Sequence, residues 1–427
     1  MPKLPKVAVV AVVIAAAGAV IVTGLLIAGN ASYTSSSLAR AVHSILVRTG
    51  AQAVSTGPVS ITPLSGLRVD SVTASLVHPR GDTTVVRVGR VTVAYSPLGV
   101  LLKGGRLRAA AEAVLQEKGM APLPKLERLL CALGDAGLLD VVHRVDGADI
   151  RLLHDSGAGG TLRAEGGRLS CVTSGGALRG HGTADSLVVH GRHAVTDVRM
   201  SLRLADSTLV VESLDGRYAG GVLDAHIAMR PRERMLDSME CDLVGIDAGV
   251  WHRTVTAGDG SLGGAVDVQL RLGRSPLILD SLAGTISLSS SDLTATETPL
   301  QKTLASLFGS DDMQRFAFTR VTVDMALAEG RLDVRHAEAL GLPLSFATHG
   351  WVRYDGTLSQ RLTGSLDRST VEGLSPLVRH VLIRAPEGQR RFVCEVSGAF
   401  ARPVVSLEKG MMKRAVERAI EELMIDD

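Results

Sequence analysis

Aromatic side chains are scarce in this chain: two Trp, four Tyr and six Phe among 427 residues, 3% in all. An interior must then be built from Val, Leu, Ile, Ala and Met, which offer soft aliphatic surface and few rigid anchors for a small polar ligand. A dominant charge sign is missing as well. The formal net charge is +2 and charged residues make up 21%, so there is no basic field to hold nucleic acid. Cys131, Cys171, Cys241 and Cys394 lie far apart, with no C-x-x-C pair. That spacing suits neither zinc nor a thioredoxin-like redox site. Buried free thiols are the expected state, although four cysteines admit three disulfide pairings between which the sequence does not choose.

Catalytic signatures are absent too. The sequence contains no G-x-x-x-x-G-K-[ST], G-x-S-x-G or H-E-x-x-H, and no complete G-x-G-x-x-G. His181, His190 and His193 lie close in sequence, but on an alternating strand His181 and His190 have opposite parity, and no paired carboxylates stand beside them. Solvated strand histidines are expected rather than a metal centre. Asp311-Asp312, after Gly309-Ser310, fits a loop with a helix cap better than a general acid–base pair. Neither catalysis nor a cofactor is expected.

What the chain has is one long apolar run and a great deal of period-two alternation. No charged side chain falls between Lys6 and Arg40, and Val7 to Ala28 is apolar almost throughout. Twenty-two helical residues rise roughly 33 Å, enough to cross a hydrocarbon layer about 30 Å thick. Lys3 and Lys6 precede the run and Arg40 and Arg48 follow it, which favours a cytoplasmic N-terminus by a small margin. A cleaved signal peptide ending near Gly29-Asn30-Ala31 competes with a retained anchor, but the apolar run exceeds the usual 7–15 residues of a signal core. Either way the rest of the chain is exported.

Ser35 to Val47 has helical spacing at Leu38, Val42, Ile45 and Leu46. Then the period changes. Val59-Ser60-Ile61 is a short extended piece, and Leu67, Val69 and Val72 open a second strand ending at His78-Pro79. In Thr83 to Tyr95 the apolar set Val86, Val88, Val91 and Val93 changes parity at Gly89-Arg90, where a bulge would fit. Pro97 to Lys103 predicts a short helical turn closed by Gly104-Gly105; Leu107 to Leu115 fits strand or helix. Pro124 to Leu133 predicts an amphipathic helix, and Val145 to His154 resumes β. The glycine-dense stretch from Gly157 to Gly182 predicts turns and short strands. Helices are expected again at Pro299 to Phe308 and at Leu407 to Ile425.

Alternation is clearest in the second half. Val198, Met200, Leu202 and Leu204 are separated by Arg199, Ser201 and Arg203; Leu223, Ala225, Ile227 and Met229 repeat the pattern. Val266, Val268, Leu270 and Leu272 follow, then Ile286 and Leu288, then Val321, Val323, Met325 and Leu327. Shorter examples are Leu332/Val334 and Phe392/Cys394/Val396. Period two sustained this long means a sheet with one dry face and one wet face. The dry face either packs on itself as a sandwich core or lines an open trough.

The order of these features resembles the AsmA-like family of envelope proteins, which includes the TamB-like members. The likeness rests on VSITPLSGLRVDSVTASL after the anchor and on VRVGRVTVAYSPLGVLLKGGRL, a strand with a Pro-Leu-x-x-Leu-Leu-x-Gly turn. It rests further on the hairpin TLVVESLDGRYAGGVLDAHIAM and on the C-terminal region ending in VSGAFARPVVSL. The resemblance implies an N-terminal transmembrane helix followed by an elongated, curved antiparallel β-sheet, a taco-like groove with a few short helices and a C-terminal amphipathic helix. It divides the chain into an anchor (residues 1–30), an N-terminal β region (31–196), a C-terminal β region (197–406) and the final helix (407–427). It implies an inner-membrane protein with its bulk in the periplasm, whose groove carries phospholipid acyl chains towards the outer membrane. The seventeen residues from Val198 to Leu327 named above, without Ala225, are the candidate groove lining. A non-enzymatic scaffold for outer-membrane or other envelope proteins is the competing expectation.

Overall fold

The computed structural model describes residues 51–407 apart from short connections and most of 117–140, together with Arg40, His43, Ser44, Val47 and Arg48. Those five positions are helical and exposed, as the spacing of Ser35 to Val47 predicts. The apolar run Val7 to Ala28, the helix expected at Pro124 to Leu133 and the helix expected at Leu407 to Ile425 lie outside the described residues, save Ala132 and Leu407. Among the described residues no helix is long and apolar enough to cross a membrane.

The chain is mainly β, with its strands in one open antiparallel sheet and few helices between them. In order they are β1 (Ala51–Thr56), β2 (Val59–Thr62), β3 (Gly66–Val77), β4 (Thr83–Tyr95), β5 (Val142–Asp155), β6 (Thr161–Ser174) and β7 (Ala177–Val189). There follow β8 (His193–Ala205), β9 (Thr208–Tyr218), β10 (Gly221–Arg230), β11 (Met235–Asp247), β12 (Ser261–Leu272), β13 (Ser275–Pro276) and β14 (Gly284–Thr296). The last are β15 (Arg315–Ala328), β16 (Arg331–Leu342), β17 (Leu344–Arg353), β18 (Thr357–Leu366), β19 (Ile383–Arg384), β20 (Arg390–Ala399) and β21 (Arg402–Leu407). The helices are α1 (Pro97–Gln116), α2 (Ala248–Val255), α3 (Pro299–Phe308), α4 (Arg368–Gly373) and α5 (Pro376–Val381). Two compact units divide the chain: Met1–Tyr218 with Asp224–Ser238, and Ala219–Leu223 with Met239–Asp427.

In the first unit β3 through β9 pair consecutively and antiparallel. The glycine-dense stretch corrects the expectation of turns and short strands: it forms most of β6 and β7, strands of 14 and 13 residues. The reason is complementarity across the ladder. Gly180 pairs with Leu202 and Gly182 with Met200. A Cβ on Gly180 would stand 2.8 Å from the Cys171 sulfur and 3.0 Å from Leu202 Cδ1, so the missing side chain leaves room for its neighbours. Helix α1 brings a second correction. It runs through Gly104 and Gly105 to Gln116 and buries Leu107 and Val114.

The parity change in β4 is real, since Val86, Val88, Val91 and Val93 are all buried. It is not made by an extra residue, because the β3–β4 and β4–β5 registers continue through it without a shift. Instead the neighbouring strands break at the same place. The pairing sets Ser71 opposite Gly89, Gly89 opposite Asp149, Gly166 opposite Asp185, and Asp185 opposite Asp197. Ser71, Asp149, Gly166 and Asp197 have positive φ angles of 78°, 52°, 64° and 53°. These breaks, joined by register shifts in the β5–β6 ladder around Ile150, let β3 to β8 switch the residues they bury while the sheet keeps a single dry face. Gly166 suits the position: it takes a φ of 64° without a Cβ penalty, and a Cβ would fall 1.9 Å from Asp185 Oδ2, so the carboxylate would have to move.

In the second unit the ladder runs β11, β12, β14, β15, β16, β17, β18, β20, β21. Helix α3 follows β14 and covers one end of these strands. Thr298 caps it through a capping box with Gln301, Pro299 occupies its first turn, and Gly309 closes it at a φ of 63°. Leu304 and Phe308 on its inner side are buried with Met313, Leu344, Leu366 and Phe392. The Phe308 and Phe392 rings meet edge to face at 4.8 Å, and Phe392 lies across Gly364. Helices α2, α4 and α5 are short elements that the sequence pattern did not reveal.

Candidate functional site

Strand pairing in the second unit converts the alternation into transverse rows of side chains on the dry face. One row reads Leu243, Val268, Leu288, Val323, Ala337 across β11, β12, β14, β15 and β16. The next reads Cys241, Leu270, Ile286, Met325, Val334, and a third contains Met239, Leu272, Gly284, Leu327 and Leu332. Asp267, Gln269, Arg271, Ser287, Asp324 and His336 occupy the opposite face, where the Ser287 hydroxyl donates to Asp324 Oδ1 at 2.8 Å.

Burial then separates the candidate lining into two groups. Val198, Leu202, Leu223, Met229, Val266, Leu272, Val321 and Leu327 are buried. Met200, Leu204, Ile227, Val268, Leu270, Ile286, Leu288, Val323 and Met325 are half-buried, and none of the seventeen is fully exposed. In the first unit Met200, Leu202, Leu204, Ile227 and Met229 join the aliphatic cluster that includes the buried side chains of β3 to β6. In the second unit Val321, Leu288 and Val323 reach the cluster under α3. Val268, Leu270, Ile286 and Met325 belong to neither cluster among the described residues. Each keeps part of its side chain accessible.

The dry face therefore has two characters within the second unit. Beneath α3 it is a packed aromatic and aliphatic core. Two rows further along the same strands it is a half-exposed aliphatic surface. The sequence pattern found the face but treated it as uniform. It also missed two polar residues on it. Thr348 sits between Phe346 and Gly350 on β17, and Gln360 between Leu358 and Leu362 on β18. The Thr348 hydroxyl donates to Gln360 Oε1 at 3.1 Å. The signal was present in the alternation of both strands, where Thr and Gln stand in apolar positions.

On the wet face of the first unit, arginines and carboxylates form ladders. Asp70 receives the Arg68 guanidinium at 2.8 Å and that of Arg90 at 3.3 Å. The Arg68 hydrogen bond, then its charge and the Arg90 contact, outweigh partial desolvation and hold the Asp70 carboxyl below the usual range. Such exposed pairs keep this face hydrated and add little stability. Cys171 and Cys394 are buried free thiols, and burial pushes both up to about 11. They carry no thiolate at neutral pH and behave as small hydrophobes.

Of the three histidines, His181 is exposed and His193 meets the Tyr218 hydroxyl at 2.7 Å through Nδ1. His190 lies outside the described residues. Among the described residues no His, Cys, Asp and Glu group is arranged to hold a metal ion. An open cavity of about 560 Å³ is lined by Glu297, Asp311, Asp312, Arg315, Leu342 and Asp367. Within it Asp311 accepts from Gln314 at 2.8 Å at the start of a short 3-10 turn.

Comparison with protein-family models, curated proteins and solved structures gives no match. The functional reading thus rests on the geometry of the sheet.

Proposed function

We propose that this chain is a non-enzymatic lipid carrier, anchored in the inner membrane by Val7 to Ala28, whose sheet forms an elongated, curved groove in the periplasm. The groove holds phospholipid acyl chains on their way between inner and outer membrane and serves outer-membrane biogenesis. The carrying observation is the half-buried aliphatic set Val268, Leu270, Ile286 and Met325 on paired strands, which belongs to neither buried cluster among the described residues. Each step along a row is one strand, about 4.8 Å, and presents another aliphatic side chain of similar size. Each methylene sheltered there gains about 0.8 kcal/mol without directional bonds. An acyl chain can therefore shift from strand to strand among sites of nearly equal energy, while its headgroup stays in water.

The test is photo-crosslinking in the full-length protein in cells. Probes at Leu270 and Ile286 should trap phospholipid, and probes at Gln269 and Ser287 on the wet face should not. Equal trapping on both faces, or none at Leu270 and Ile286, refutes the reading. The scaffold reading has its own support. Val222 and Val244 are 60% and 57% exposed, and Val404 on β21 is 61% exposed. Protein adducts from these positions, with no lipid on the dry face, would favour a partner-binding role.

A further inference from the structure

On β17 and β18 the dry face of the second unit carries Thr348 and Gln360 among apolar neighbours. We infer that the Gln360 carboxamide is a recognition point for the ester carbonyl of a glycerolipid; this rests on the carrier reading above and specifies its ligand. Gln360 lies opposite Gly350 on β17 and Val396 on β20. Gln360 itself is half-buried, and Gly350, at a φ of 148°, lets the β18 backbone approach, since a Cβ there would fall 2.1 Å from the Ser359 carbonyl oxygen. The Thr348 hydroxyl occupies Oε1, which fixes the plane of the carboxamide. Among the described residues the two Nε2–H donors have no partner.

A carboxamide with its acceptor engaged and its donors uncommitted selects for acceptors. Hydrocarbon offers none. The acceptor at the junction of acyl chain and headgroup is the ester carbonyl, and Gln360 stands where an apolar lining meets this single donor group. Thr348 is a positioning residue: it orients the amide and makes no contact of its own with the lipid. A purely structural pair would instead only tie β17 to β18.

The experiment uses the full-length protein in vesicles containing equal amounts of a diester phosphatidylethanolamine and its diether analogue with the same chains and headgroup. A photo-crosslinking residue at Val396, the pairing partner of Gln360, reports the trapped lipid by mass spectrometry; one at Ile286 reports the aliphatic rows. The expected diester preference at Val396 is about five-fold, the ratio equivalent to one net hydrogen bond of about 1 kcal/mol. Gln360→Leu should reduce it to parity while total lipid trapped at Ile286 stays unchanged, and Thr348→Val should reduce it in part. Equal diester and diether trapping in the unsubstituted protein overturns the proposal and leaves the carrier reading standing. The same holds if the preference survives Gln360→Leu, or if both variants lower the melting temperature without moving the ratio. Absence of lipid at Ile286 as well overturns the carrier reading itself. Circular dichroism of each variant confirms that it folds.

Discussion

Truncating two side chains on the same face of the same unit should have very different costs. Phe392 is fully buried, touches Phe308 edge to face at 4.8 Å and covers Gly364. Phe392→Ala removes a ring from a closed core and leaves a cavity, so the expected loss is about 3–5 kcal/mol. Ile286 is half-buried and belongs to neither buried cluster among the described residues. Ile286→Ala removes roughly three methylene equivalents at about 0.8 kcal/mol each, half of them already in contact with solvent, and leaves no enclosed void. Its expected cost is about 1 kcal/mol. Urea unfolding of the full-length protein in detergent, followed by far-UV circular dichroism at constant slope, measures both. If Ile286→Ala costs as much as a core truncation, the row is meshed into a closed interior and the open-trough argument fails. If Phe392→Ala costs no more than Ile286→Ala, α3 does not seal its end of the face.

Three further outcomes follow from the same structure. Gly180→Val places a branched side chain against Cys171 and Leu202, where a bare Cβ already approaches to 2.8 Å; thermal unfolding should show a loss of about 1–3 kcal/mol, and an unchanged melting temperature would contradict the tight β6–β7–β8 packing. Cys171 and Cys394 should react with a thiol reagent only on unfolding at pH 8. Their folded pKa of about 11 exceeds the ordinary 9.0, so the unfolded thiol releases its proton first as pH rises. Their contribution is intact below pH 9 and falls between about 9 and 11, by up to about 2 kcal/mol per thiol; Cys→Ser variants should flatten that part of the stability profile. Thr298→Ala removes the acceptor of the α3 capping box and should cost about 1 kcal/mol, read as a lower urea midpoint.

Much of the fold was legible in the chain because alternation is a local property. Val266 to Leu272 and Val321 to Leu327 announce their strands and their dry sides without reference to anything else. The glycine-dense stretch misled for the opposite reason. Gly180 and Gly182 supply no pattern of their own, and their role appears only when Leu202 and Met200 stand opposite them. Helix α1 was obscured by Gly104-Gly105, whose cost in a helix interior is about 1 kcal/mol each and is outweighed by burial of Leu107 and Val114.

The sequence by itself determined that these are strands, which side of each is oily, and that the oily side is aliphatic. Those properties belong to single residues and to their spacing along one strand. Only the tertiary structure decided which part of the face is closed and which stays partly accessible. That depends on α3 folding back over β20 so that Phe308 meets Phe392, residues far apart in the chain. It also decided that Ser71, Gly89 and Asp149 stand opposite one another, as do Gly166, Asp185 and Asp197 beyond the shifted β5–β6 register, and that Thr348 and Gln360 stand side by side. Register is set by pairing between strands, and no single strand carries that information.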